Sequence, residues 1–264
     1  MNSDKGYLKK MLINNRNKTL NYVNFNYDYT LIEEYLTKII KSYDTQKNIN
    51  LIISYYKSLN SDRNREIDLA IKINLQNKLF NKIIIIDETN EFVNESGNDN
   101  IIIIKNNNRI NFNDFFKYAN EYSSDDTINV LCNSDIVIGE MFDKITLENN
   151  QILFLTRYEM KINSENELND DFGSFDTWVW KGKINHNIGN FNMGIGCCDV
   201  RLAREFYDKK FILKNPSLDL KTYHIHCTNI RYWYADGSTI GPCMKIKHSK
   251  LDDIYTNDDY VFLG

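Results

Sequence analysis

Four short aliphatic blocks, each of strand length, constrain this chain more than any other feature. They lie at 50–56 (NLIISYY), 83–86 (IIII), 101–104 (IIII) and 127–132 (TINVLC). Continuous runs of this kind fit strands covered on both faces, as in parallel sheets. Between them, residues 64–80 (NREIDLAIKINLQNKLF) place Ile67, Ala70, Ile71, Asn74 and Leu75 on one helical face, and 112–121 (FNDFFKYANE) reads as a short helix. Strand, helix, strand, strand, helix, strand is an α/β order with a mixed, mostly parallel sheet flanked by helices.

The second half continues the pattern. Strands are expected at 151–157, 175–180, 211–213 and 221–227, and a helix at 199–209. The polar stretch 160–173 reads as a mobile loop, and 185–198 (NHNIGNFNMGIGCC) as a glycine-containing one. Residues 1–48 are polar and Asn-rich, with one amphipathic stretch in which Leu31, Ile32, Tyr35, Leu36, Ile39 and Ile40 recur at helical spacing. No repeat and no Pro- or Gly-rich linker divides the rest. The expected organisation is a helical N-terminal extension (1–48), a single α/β domain (49–247) and a C-terminal tail (248–264).

Composition narrows the function classes. The 264 residues are enough to bury a core without disulfide or metal staples. A net charge of −4, from 32 basic and 36 acidic residues, argues against a dedicated nucleic-acid binder. No apolar run approaches the roughly 18 to 20 residues of a membrane span. The first residues lack the apolar core of a signal peptide. With five cysteines, an odd number, a reducing compartment is expected, so the chain reads as cytoplasmic. Abundant Asn, Ile and Lys point to an AT-rich genome, viral or microbial. Neither a Walker A motif nor GxGxxG is present.

Several constellations could carry chemistry. Asn133-Ser134-Asp135 follows a buried strand, where ligands of open α/β sheets bind and a carboxylate can hold a divalent cation. The alternative is a plain strand-end turn. His224-Ile225-His226 puts two imidazoles on one strand face, as metal ligands or as a hydrogen-bonded pair. Asp199 opens a helix, where it could cap or act as a base. Asp176, Trp178 and Trp180 alternate onto one face, either toward a sugar or into the core. Arg63-Asn64-Arg65-Glu66, with Arg109 and Asn120, could meet phosphate near the strand ends.

In this order the elements resemble nucleotide-sugar-dependent glycosyltransferases of the GT-A (Rossmann-like) fold, over about residues 50–230. LIISYYKS, the helix opened by Arg65-Glu66, RINFNDFFKYAN and LCNSDIVIG match successive pieces. The last looks like the family's DxD motif with Asn133 in the first acidic position. FLTRYE and SFDTWVWKG sit where acceptor-side strands lie, and GIGCCDVRLAREFYDKKFILKNPSLDLKTYHIH is similar to the acidic motif, helix, strand and terminal metal histidine. Cys198 stands where many inverting members have an acid.

The resemblance implies a hexosyltransferase using a nucleotide-sugar donor, of the UDP class, and a protein, glycan or lipid hydroxyl acceptor. Asp135 would bind Mn²⁺ or Mg²⁺, and His226, or else His224, would complete the shell. Asn133 and Ser134, with Tyr55, Arg65, Asp87 and Arg109, would lie near the nucleotide. Trp178 and Asp176 would face the donor–acceptor junction, and Asp199 would serve as base. A nucleotidyltransferase-like enzyme and a degenerate, non-catalytic nucleotide- or carbohydrate-binding domain are the alternatives.

Overall fold

The computed structural model describes residues 29–40, 47–94, 96–160, 165–228, 237, 239 and 241–263. Expectations for 1–28 and 41–46 therefore lie outside the described residues. The chain is a mixed α/β protein around a seven-stranded, mostly parallel sheet. Its strands are β1 (Ile49–Tyr55), β2 (Lys82–Asp87), β3 (Ile101–Lys105), β4 (Ile128–Cys132), β6 (Gln151–Thr156), β9 (Phe175–Lys181) and β10 (Ile212–Lys214). They lie in the order β10-β6-β9-β4-β1-β2-β3. β9 runs antiparallel between β4 and β6.

The aliphatic runs divide by alternation between two cores. Ile84 and Ile86 of β2 join Leu131, Trp178 and Trp180 on one face; Ile83 and Ile85 join Leu51, Ile53 and Val130 on the other. The first face is covered by α3 (Phe112–Glu121) and α4 (Cys198–Asp208), through Phe112, Phe115, Phe116 and Phe206. The second is covered by α2 (Ser61–Leu75), through Ile67 and Ile71. α1 (Tyr29–Ile40) packs Ile32, Leu36 and Ile40 against Leu69, Ala70 and Ile73 of α2, which accounts for the amphipathic stretch.

Local chemistry sets the helix ends. The side chain of Asn60 accepts from Arg63 N at 2.9 Å, and that of Asn111 accepts from Asp114 N at 2.9 Å, so each caps its helix. The predicted helix over 64–80 starts earlier and stops at Leu75. There Asn77 turns the chain, its Oδ1 accepting from Leu79 N at 3.0 Å. β3 corrects the expectation of full burial: at the sheet edge, Ile103 is 36% exposed. Within the stretch expected as a mobile loop, β8 (Glu167–Leu168) pairs with β7 (Tyr158–Glu159). The expected tail instead returns as β13 (Tyr260–Leu263), antiparallel to β12 (Cys243–Ile246), and β12 packs on α4.

A second sheet positions the site. Its order is β5-β11-β7-β8, with β5 spanning Ile136–Ile138 and β11 Thr222–His224. Asn74 of α2 fastens β5 like an extra strand residue, its Nδ2 donating to Ile136 O at 2.8 Å and its Oδ1 accepting from Ile138 N at 3.0 Å.

Candidate metal centre

Register explains why residues distant in sequence meet. β4 ends at Cys132, and Asn133 and Ser134 turn the chain toward β5. In the β5–β11 ladder His224 pairs with Ile136, and Ile225 N donates to Asp135 O at 2.9 Å. In the β11–β7 ladder His224 pairs with Glu159. Asp135 sits in the turn one residue before β5, and its carboxylate reaches across to His224, which the ladder places beside Glu159. The stretch expected as a strand over 221–227 leaves the ladder after His224. His226 nevertheless stays on the same side, its ring stacked on that of His224 at a centroid distance of 5.0 Å. Ile225 points the other way, into the core under α1.

His224 Nε2 is 3.0 Å from Asp135 Oδ2 and its Nδ1 is 2.9 Å from Glu159 Oε2. His226 Nδ1 is 3.9 Å from the same Asp135 oxygen. One ligand atom from each of Asp135, His224 and His226 lies within 4.8 Å of the others, and among the described residues this is the group of His, Cys, Asp and Glu side chains able to hold an ion. One carboxylate and two imidazoles make a donor set suited to a divalent transition metal. Glu159 behind His224 is the carboxylate–histidine pairing that orients metal-bound imidazoles. His226 Nε2 is buried with no hydrogen-bond partner among the described residues. These residues fit a cation.

A larger network surrounds the triad. Arg63 donates from Nη2 to Asp135 Oδ2 at 2.5 Å, and from Nη1 to Glu66 Oε2 and His226 Nδ1 at 2.9 Å each. On the other flank Arg157 donates from Nε to Glu159 at 2.7 Å and from Nη1 to Asp176 Oδ2 at 2.6 Å. Asn133 Nδ2 donates to Asp176 Oδ1 at 2.6 Å. Two guanidiniums thus face four carboxylates, an excess of negative charge that suits an added cation.

The titrations follow. Burial alone would raise Asp135, but His224 and then Arg63 hold it well below the usual carboxylate range. Glu159 is also lowered: His224 and Arg157 outweigh its burial. Burial disfavours charge on His224, yet Asp135 raises it above the ordinary histidine value. Burial lowers His226, with His224 and Arg63 pushing the same way against Asp135. Asp199, in the first turn of α4, is pushed up to about 8 by burial and by the nearby charge of Asp176. Its Oδ1 accepts from Cys198 Sγ at 2.9 Å.

Asp135, His224 and His226 therefore come together, with Asn133 and Asp176 bonded beside them and Asp199 within the field of Asp176. Ser134 lies next to them, but its hydroxyl donates to Ser54 O at 2.7 Å and fastens the turn to β1. Five other expected site residues have structural partners of their own. Arg65 is 66% exposed on the outer side of α2, where its guanidinium lies over the Tyr29 ring; Arg63 reaches inward instead. Trp178 is fully buried against Phe112 at 4.9 Å, so it offers no face to a sugar. The alternation was right about its face, but α3 covers that face. Asp87 accepts from Thr89 N, Thr89 Oγ1 and Phe92 N, which uses both its oxygens to hold the β2 loop. Tyr55 is buried with its ring edge-on to Phe92 at 5.0 Å. Arg109 donates to Met193 O at 2.6 Å and tethers the 185–198 loop. That contact needs glycine at 194: φ there is +78°, and a Cβ would sit 2.7 Å from the guanidinium.

Glu159 and Arg157 were missed by sequence reading. Their signal was a charged pair at i, i+2 directly after the aliphatic strand ending in Thr156.

No protein-family model matches the chain, and no curated protein matches it. Among solved structures, a mannosyltransferase from Pyrobaculum calidifontis in complex with GDP-Man and Mn²⁺ is similar at 8% identity and a TM-score of 0.42. The match covers 75% of this chain and 64% of that one, so this chain spans slightly less than two thirds of its length. A 2-C-methyl-D-erythritol 4-phosphate cytidylyltransferase from Francisella tularensis is similar at 16% identity and a TM-score of 0.33, over 54% of this chain and 68% of that one. Neither likeness bears on the chemistry of this chain. Among the described residues no helix is long and apolar enough to cross a membrane.

Proposed function

We propose that the chain is a divalent-metal-dependent glycosyltransferase that moves a hexosyl group from a nucleotide-sugar, of the UDP class, to a hydroxyl acceptor. The observation that carries this reading is the convergence of Asp135, His224 and His226 at the carboxyl end of β4, in a mixed, mostly parallel sheet. In this reading the catalytic domain is 49–247, and Asp135, His224 and His226 hold Mn²⁺ or Mg²⁺. The ion, when bound, supplies positive charge that offsets the departing diphosphate.

The chain's own residues do the rest. Glu159 fixes the ring of His224. Asn133 and Arg157 hold Asp176 from both of its oxygens, which sets its carboxylate at the junction between metal centre and α4. Asp199 takes the acceptor proton in the manner of an inverting enzyme, and burial, which raises its pKa to about 8, makes its carboxylate more basic than an ordinary aspartate's.

A donor screen tests the reading. Common UDP- and GDP-sugars are incubated with protein and Mn²⁺, and donor hydrolysis or transfer is followed by release of the nucleoside diphosphate. Metal-dependent release from one donor is expected, with at least a hundredfold loss in Asp135→Ala. Turnover that survives in Asp135→Ala contradicts the metal assignment. Pyrophosphate release from a nucleoside triphosphate without any sugar contradicts the reaction class.

A further inference from the structure

The donor set of the metal centre is already engaged by a cation of the protein's own. Arg63 Nη2 donates to Asp135 Oδ2, the oxygen shared with His224, and Nη1 donates to His226 Nδ1. A guanidinium has only donors, so His226 Nδ1 must present its lone pair to Arg63. An ion seated between Asp135 Oδ2 and His226 Nδ1, which lie 3.9 Å apart, needs that lone pair and that oxygen.

Arg63 is also anchored. Glu66, one turn further along α2 and fully buried, accepts from Nη1 and receives Thr228 N and Oγ1 as well. The guanidinium can leave Asp135 and His226 while remaining on Glu66.

We propose that Arg63 holds the place of the divalent cation in the empty protein, so that ion binding and the Arg63–Asp135 pair are mutually exclusive. The inference rests on the metal reading above and adds a regulation to it. The cation alone binds weakly because it must displace Arg63. A nucleoside diphosphate offers Arg63 a new anionic partner, so diphosphate and cation bind with positive coupling.

Titration of MnCl₂ followed by calorimetry and by the loss of the free-ion electron paramagnetic resonance signal tests this without turnover. Wild type, Arg63→Met and Asp135→Asn are compared, with and without UDP, after circular dichroism confirms folding. Arg63→Met is expected to bind Mn²⁺ alone at least about tenfold more tightly than wild type, and UDP to tighten wild type far more than the variant. Equal or weaker binding by Arg63→Met, while Asp135→Asn binds none, overturns the inference and leaves the metal centre standing. No Mn²⁺ binding by wild type or Arg63→Met, even with UDP, overturns both.

If Arg63→Met does not fold, the unaltered protein serves. The side-chain NMR signal of Arg63 should show hindered guanidinium rotation without cation and faster rotation with saturating Mg²⁺ and UDP. A signal unchanged by Mg²⁺ and UDP overturns the inference.

Discussion

The two larger sheets are made of opposite materials. The seven-stranded sheet buries aliphatic and aromatic side chains on both faces, with Trp178, Trp180, Phe116 and Phe154 wholly enclosed. The β5-β11-β7-β8 sheet is small, two of its strands have two residues, and it brings His224 and Glu159 together with Asp135 beside it. The first is held by packing, which is insensitive to pH and ions. The second also buries Ile136, Val137, Ile138 and Tyr223, but it carries in addition charged groups whose protonation depends on one another. Stability belongs to the large sheet and chemistry to the small one, as expected where a functional site departs from the rules that build a core.

Four changes would break or sharpen this contrast. The largest effect is expected in the aliphatic sheet. Trp180→Ala should lower unfolding free energy by about 4 kcal/mol in urea, since its ring packs edge-on to Phe116 at 5.2 Å with no exposure. Arg157→Met comes next, at about 3 kcal/mol, because it leaves buried Asp176 without its cation and Glu159 with His224 alone. Adding Asp176→Asn should recover part of that loss, whereas no second substitution in the charged network should rescue Trp180→Ala.

The third is a pH effect confined to the charged region. Asp199 has a folded pKa near 8, above the roughly 3.9 of an unfolded aspartate, so the folded state binds its proton more tightly. Its stabilising contribution is complete below about pH 4 and is lost as pH rises toward 8. Urea midpoints measured from pH 5 to 8.5 should fall more in wild type than in Asp199→Asn. Glu159 and Asp135 have the opposite sign: lowered in the fold, they stabilise above the ordinary carboxylate range and lose this as the solution is acidified. The smallest effect is local. Asn60→Ala removes the cap of α2 and should cost about 1 kcal/mol, read as a shift in thermal midpoint.

Much of the large sheet was legible because its strands are long enough to show as continuous aliphatic runs. The metal triad was legible in part: Asp135 follows a buried strand, and His224 and His226 alternate. The rest was hidden for physical reasons. Strands of two or three residues leave no periodic trace, so nothing in 158–159 announces that Glu159 will lie beside His224. Alternation showed which residues share a face of β9 but not that α3 would cover it, which is how Trp178 was misplaced. Helical spacing distinguishes Arg63 from Arg65. Arg63, Glu66, Ile67 and Ala70 fall at i, i+3, i+4 and i+7, on the buried side of α2, while Arg65 falls outside that stripe.

The most direct test is pulsed electron paramagnetic resonance of Mn²⁺ bound to the protein in the presence of UDP. Convergence of Asp135, His224 and His226 on one ion predicts two imidazole nitrogen couplings, one of them lost in His226→Ala and both lost with the bound ion in Asp135→Ala. Bound Mn²⁺ with no nitrogen coupling, or with a spectrum unchanged in both variants, would contradict it.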